Sequence, residues 1–129
     1  MTVPAPFRID YQRDGALLRA HVTGAKGTLD TALAFWMALA EEVRRDPPRN
    51  LLVVDDMEGA SLSPDQMLQF VQALVGLGFE GVRIAYVEAH PGQIPDVEHS
   101  EIFARERGFD VRVFGSEPEA TLWLRHGMS

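Results

Sequence analysis

Hydrophobic and polar residues alternate from the start of the chain. Phe7, Ile9 and Tyr11 interleave with Arg8, Asp10 and Gln12, a period of two that predicts a half-buried strand. Asp14-Gly15 then reads as a tight hairpin turn, because both residue types tolerate positive φ. Ala16 to Thr23 reads as the return strand, with Leu18, Ala20 and Val22 on one face and His21 on the other. The period then lengthens. Leu29, Leu33, Trp36, Ala40 and Val43 lie along one stripe of a helix started by Thr28 and stopped by Asp46-Pro47-Pro48. Phe35 and Met37 flank that stripe and predict either a broader buried face or an exposed apolar patch.

Leu51 to Val54 is an unbroken apolar run. It predicts a central strand covered on both faces, ending at Asp55-Asp56 and followed by a loop from Met57 to Leu62. Ser63-Pro64-Asp65-Gln66 combines a capping serine, proline at the first helical position and glutamine at the third. Met67, Phe70, Val71 and Leu74 form the apolar face of the helix that follows. Val82 to Val87 is the next strand, and residues 90–95 are a loop. Asp96 is the expected cap of a helix that carries Ile102 and Phe103 and ends at Gly108. A last strand, Val111 to Phe114, precedes a helix opened by Ser116 and Glu119 that turns Ala120, Trp123 and Leu124 inward. The order β-β-α-β-α-β-α-β-α predicts an α/β domain over residues 7–126: a mixed sheet of about five strands with helices packed on it, and flexible ends at 1–6 and 127–129.

Length and composition fit that reading. A chain of 129 residues with 46% hydrophobic and 24% charged residues forms one domain without staples, and it has no cysteine for disulfides or thiolate metal sites. No apolar run reaches the roughly 20 residues of a membrane-spanning helix. The first residues lack the pattern of a signal peptide, so the expected location is cytoplasmic. A net charge of −7 disfavours nucleic acid as a partner. The arginines at 44, 45, 49, 105 and 107 fall where helices end, and there they complement the helix dipole.

Two sets of polar residues invite chemistry. Asp55, Asp56 and Glu58 follow the central strand, with Glu88 and His90 after the next one, at the strand ends where α/β sheets bind ligands. Their spacing matches no dedicated metal motif, and solvated loop acids are the simpler account. His90, Asp96, Glu98, His99 and Glu101 form the second set, which has no nucleophile beside it. Glycine-rich phosphate loops and the nucleophile elbow are absent. The expectation is therefore a non-catalytic protein with no cofactor and no metal.

The element order resembles the STAS-like superfamily, as do the segments LLVVDDMEGA, SLSPDQMLQFVQAL and RGFDVRVFGSEPEATLWL. Within it, the chain looks like the small stand-alone bacterial group related to the sporulation anti-sigma-factor antagonist. The resemblance implies a regulatory module that binds a protein partner, alone or as a homodimer. In phospho-regulated members a serine at the start of the helix after the central strand accepts the phosphate, and Ser61 or Ser63 matches that place. The segment from Ala60 to Asp65 lacks the glycine of the family pattern and sets Pro64 beside Ser63, which argues against phospho-switching. Ser63 as a helix cap alone accounts for about 1 kcal/mol. The alternating plan is also similar to lipid-binding domains of the CRAL-TRIO type. That similarity implies a carrier or sensor of a small apolar ligand or lipid, with a pocket lined by Phe79, Tyr86, Ile102 and Phe103 and the segment 90–103 as its lid.

Overall fold

The computed structural model describes residues 7–25 and 28–126. The expected flexible ends lie outside the described residues. A hairpin opens the fold: β1 (Phe7–Asp14) runs antiparallel to β2 (Leu17–Ala25), with Asp14 opposite Leu17. The two residues of the turn are thus Gly15 and Ala16, one position later than Asp14-Gly15. Gly15 has φ +59 and no non-glycine residue among the described residues has positive φ, so the turn needs its glycine only at the first central position.

Helix α1 (Leu29–Arg45), strand β3 (Asn50–Glu58), helix α2 (Pro64–Leu74), strand β4 (Arg83–Glu88), helix α3 (Ile94–Glu106), strand β5 (Asp110–Phe114) and helix α4 (Glu117–His126) follow. The sheet order is β1-β2-β3-β4-β5, and every pair after the hairpin is parallel. This is the expected α/β fold, with β3 in the middle. Successive crossovers of one hand place α1, α2 and α3 on the same face. Leu18, Ala20, Leu51, Val53 and Ile84 meet Trp36, Leu39, Val71 and Leu74 there. On the other face Leu52, Val54, Ala85 and Val87 pack under Ala120, Trp123 and Leu124 of α4. The unbroken run at 51–54 is apolar because both faces of β3 are covered. No helix among the described residues is long and apolar enough to cross a membrane.

The helix starts follow their capping chemistry. Gln66 N–H donates to Ser63 Oγ at 3.2 Å, and Ser63 N–H donates to Gln66 Oε1 at 3.1 Å, which closes the capping box. Ser116 Oγ accepts from Glu119 N–H at 3.5 Å. On α1, Phe35 and Leu39 join Trp36, Ala40 and Val43 in the core, while Met37 is exposed.

Three expectations need correction. β3 does not end at Asp55: it continues to Glu58, paired along its length with β2, which itself extends to Ala25. α3 starts at Ile94, so Asp96 lies in its first turn and is not its cap. Ile102, expected on a pocket wall, is 52% exposed and off it, because α3 faces inward through Val97 and Ala104 and only one of the adjacent Ile102 and Phe103 can join them.

Candidate functional site

The longer β3 changes the meaning of its acidic end. Strand alternation sends Asp55 and Met57 to the face covered by α1–α3 and turns Asp56 and Glu58 away. Asp55 is 3% exposed, and its register partner on β4, Glu88, is fully buried. Asp55 Oδ1 accepts from Met57 N–H at 3.1 Å, and Oδ2 accepts from the Tyr86 hydroxyl. Glu88 Oε1 accepts from His90 N–H at 3.2 Å. Asp56 instead meets His21 Nε2 at 3.4 Å on the solvent side, and Glu58 Oε1 lies 3.9 Å from His90 Nε2. The acids of the first polar set are therefore split between two sides of the sheet. Among the described residues no three His, Asp or Glu side chains are grouped to hold a metal ion.

Beside Asp55 and Tyr86 lies a cavity of about 120 Å³ between the sheet and the first three helices, and it is not fully sealed. Its wall is mainly apolar, with aromatic rings clustered at one part of it. Trp36 is the hub: its ring stacks on Tyr86 at 6.1 Å and 16° and meets Phe70, Phe79 and Phe35 at 5.8, 5.3 and 5.6 Å. Met57, Met67 and Val71 add aliphatic surface. Polar atoms are few: Asp55, Tyr86, Ser61, Ser100, Glu101 and, at the start of α1, Thr28. An apolar hollow with a handful of placed polar groups is the usual form of a small-molecule site.

The loops after β3 and β4 meet over this end of the sheet. Ser61 Oγ donates to Gln93 Oε1 at 3.0 Å, and Gln93 Nε2 donates to the Gly59 carbonyl. Residues 91–93 form a short 3-10 turn that runs into α3.

The other sequence candidates divide as follows. Phe79 and Tyr86 line the cavity, as does Ser61. Ser63 is the exposed cap of α2. Phe103 is half-buried against the same core without reaching the cavity, and Ile102 points away from it. Of the second polar set, Asp96, Glu98 and His99 are exposed, His90 is half-buried, and Glu101 turns inward, accepting from Val113 N–H at 2.8 Å. Ser100 and Gln93 were not legible as site residues. The signal for Ser100 is the spacing Val97, Ser100, Glu101 and Ala104, one inward stripe of α3 made of small and polar side chains. No comparable signal marks Gln93.

No protein-family model matches the chain, and no curated protein matches it. The site must be read from its own chemistry.

Burial pushes the Tyr86 phenol well above its ordinary value of 10.0, helped by the charge and hydrogen bond of Asp55 and by the charge of Glu88. Tyr11 is raised less, first by burial and then by Glu42. The fold thus holds these protons more tightly than the unfolded chain does. Their contribution to stability is complete below pH 10 and is lost as pH rises beyond it. In an alkaline titration, tyrosinate absorbance from Tyr86 is expected to appear together with the loss of near-ultraviolet circular dichroism. Ionisation of both tyrosines on a still-folded protein near pH 10 would contradict the buried geometry.

Proposed function

We propose that the chain is a non-catalytic binding protein, a carrier or sensor of a small apolar ligand held in the cavity around Trp36, with one polar group of the ligand at Asp55 and Tyr86. The observation that carries this reading is the aromatic hollow itself. A dry apolar cavity of about 150 Å³ is enough to take up benzene, and the space here is of that order, at about 120 Å³. The inward wall of α3 and the Gln93 contacts to Ser61 and Gly59 support the role of the 90–103 segment as a lid. Native mass spectrometry of freshly purified protein tests the reading. A small adduct is expected that disappears on denaturation, and a ligand-free spectrum together with no uptake of added toluene would remove it.

A second reading is a protein-docking module of the STAS-like, anti-sigma-factor-antagonist kind in the cytoplasm. It is supported by the element order and by the exposed Asp56 and Glu58 at the same end of the sheet as Ser61 and Ser63. A pull-down from native cytosol that recovers no protein would count against it. The cavity ranks first because an interface does not require an aromatic hollow beside a buried carboxylate.

A further inference from the structure

We infer that the chain pairs with a second copy of itself along β1, antiparallel about Tyr11, so that two five-stranded sheets join into one. The inference stands apart from the cavity reading, because no residue of β1 lines the cavity.

β1 is an outer strand of the sheet, eight residues long and exposed through most of its length. The hairpin fixes which way its backbone groups point. A two-residue loop closes on a hydrogen-bonded pair, and here that pair is Asp14 and Leu17. The Ala16 carbonyl agrees, since it points the other way and accepts from Asn50 N–H at 3.1 Å. Arg8, Asp10, Gln12 and Asp14 therefore bond to β2, and the N–H and C=O groups of Phe7, Ile9, Tyr11 and Arg13 point out of the sheet. Among the described residues nothing bonds to them. The opposite edge is shorter and guarded: β5 has five residues, and Glu101 Oε1 takes the Val113 N–H at 2.8 Å. A row of open donors and acceptors is a template for another strand.

Charge decides which strand that is. A twofold axis makes residue i face j and j face i, and side-chain alternation requires opposed residues to share a face of the sheet. With Arg8, Asp10 or Arg13 at the axis, a charge faces its own copy, and with Gln12 there, Asp10 faces Asp14. Like charges directly opposite are destabilising. With Ile9 at the axis, the overlap ends at Tyr11. With Tyr11 at the axis, residues 8–14 of both copies overlap, and Arg8 lies opposite Asp14 at each end. Asp10 then faces Gln12, and the two Tyr11 side chains meet at the centre. Charges on an edge strand usually repel a partner. Arg13 is instead drawn back to the end of α1, where its guanidinium donates to the Asp46 and Glu42 carbonyls at 2.9 and 3.1 Å.

Sedimentation equilibrium of the full chain is the test. One strand pair makes a small interface, so the protein is taken to about 100 μM and above. The mass is expected to approach twice 14.3 kDa. Tyr11→Pro removes an outward N–H while sparing the ladder to β2, and it should leave the chain monomeric. Arg8→Asp should weaken the dimer about tenfold, and Arg8→Asp combined with Asp14→Arg should recover it. A monomeric unaltered chain would overturn the inference. A dimer that survives Tyr11→Pro would put the interface elsewhere and overturn it equally. A dimer lost in Tyr11→Pro but indifferent to Arg8→Asp would overturn the Tyr11-centred register. Should Tyr11→Pro not fold, the charge exchange between Arg8 and Asp14 decides alone. None of these results bears on the cavity.

Discussion

Replacing Trp36 with alanine is expected to lower the stability of the fold by about 3–5 kcal/mol. The residue is 6% exposed and touches four other aromatic rings, so its removal loses both transfer free energy and edge-to-face contacts. It also enlarges a hollow that already exists, and the surrounding side chains have less to collapse onto. A domain of this size has about 5–15 kcal/mol in total, so the variant should be marginal at 25 °C. Urea unfolding followed by far-ultraviolet circular dichroism measures the change. A cost near 1 kcal/mol would mean that the helices close over the gap and that the cavity is not held open by the fold.

The second large effect is expected at Asp55. Asp55→Ala leaves the Tyr86 hydroxyl and the Met57 N–H without their acceptor inside the protein. Two buried donors stranded in this way cost together about 2–4 kcal/mol. Tyr86→Phe alone should cost less, because it removes one donor and leaves Asp55 bonded to Met57. The two changes share one hydrogen bond, so their effects should not add. A double-mutant cycle is expected to give a coupling of about 1–3 kcal/mol. A coupling near zero would show that Tyr86 and Asp55 do not act on each other.

These two residues also show where reading the chain as a string succeeds and where it fails. The apolar run at Leu51–Val54, the capping box at Ser63–Gln66 and the stripe on α4 are local patterns, and each is found as an element of the expected kind. The continuation of β3 through Asp55, Asp56, Met57 and Glu58 is not local. Acidic residues are poor strand formers, and pairing with β2, joined by β4 at Asp55, extends the strand over them. That extension turns Asp55 inward and Asp56 outward, which separates acids that look like one cluster in the chain. The same limit applies to α3. Its buried stripe carries Ser100 and Glu101, and these read as polar surface until the cavity gives them a reason to face inward. Phe79 and Tyr86 line the cavity, and only the similarity to lipid-binding domains, not a local pattern in the chain, points to them as pocket residues. Ile102 is expected at the same pocket by that similarity, whereas the inward face of α3 is already taken by Val97 and Ala104.

The cavity itself is the feature on which the functional reading stands, and the methionines report on it directly. Met57 and Met67 line it, while Met37 is exposed on α1. With the methyl carbons of all five methionines labelled, a nuclear magnetic resonance titration with toluene should shift the Met57 and Met67 signals saturably and leave Met37 in place. Signals of Met57 and Met67 that stay unmoved up to the solubility limit of toluene would contradict the account.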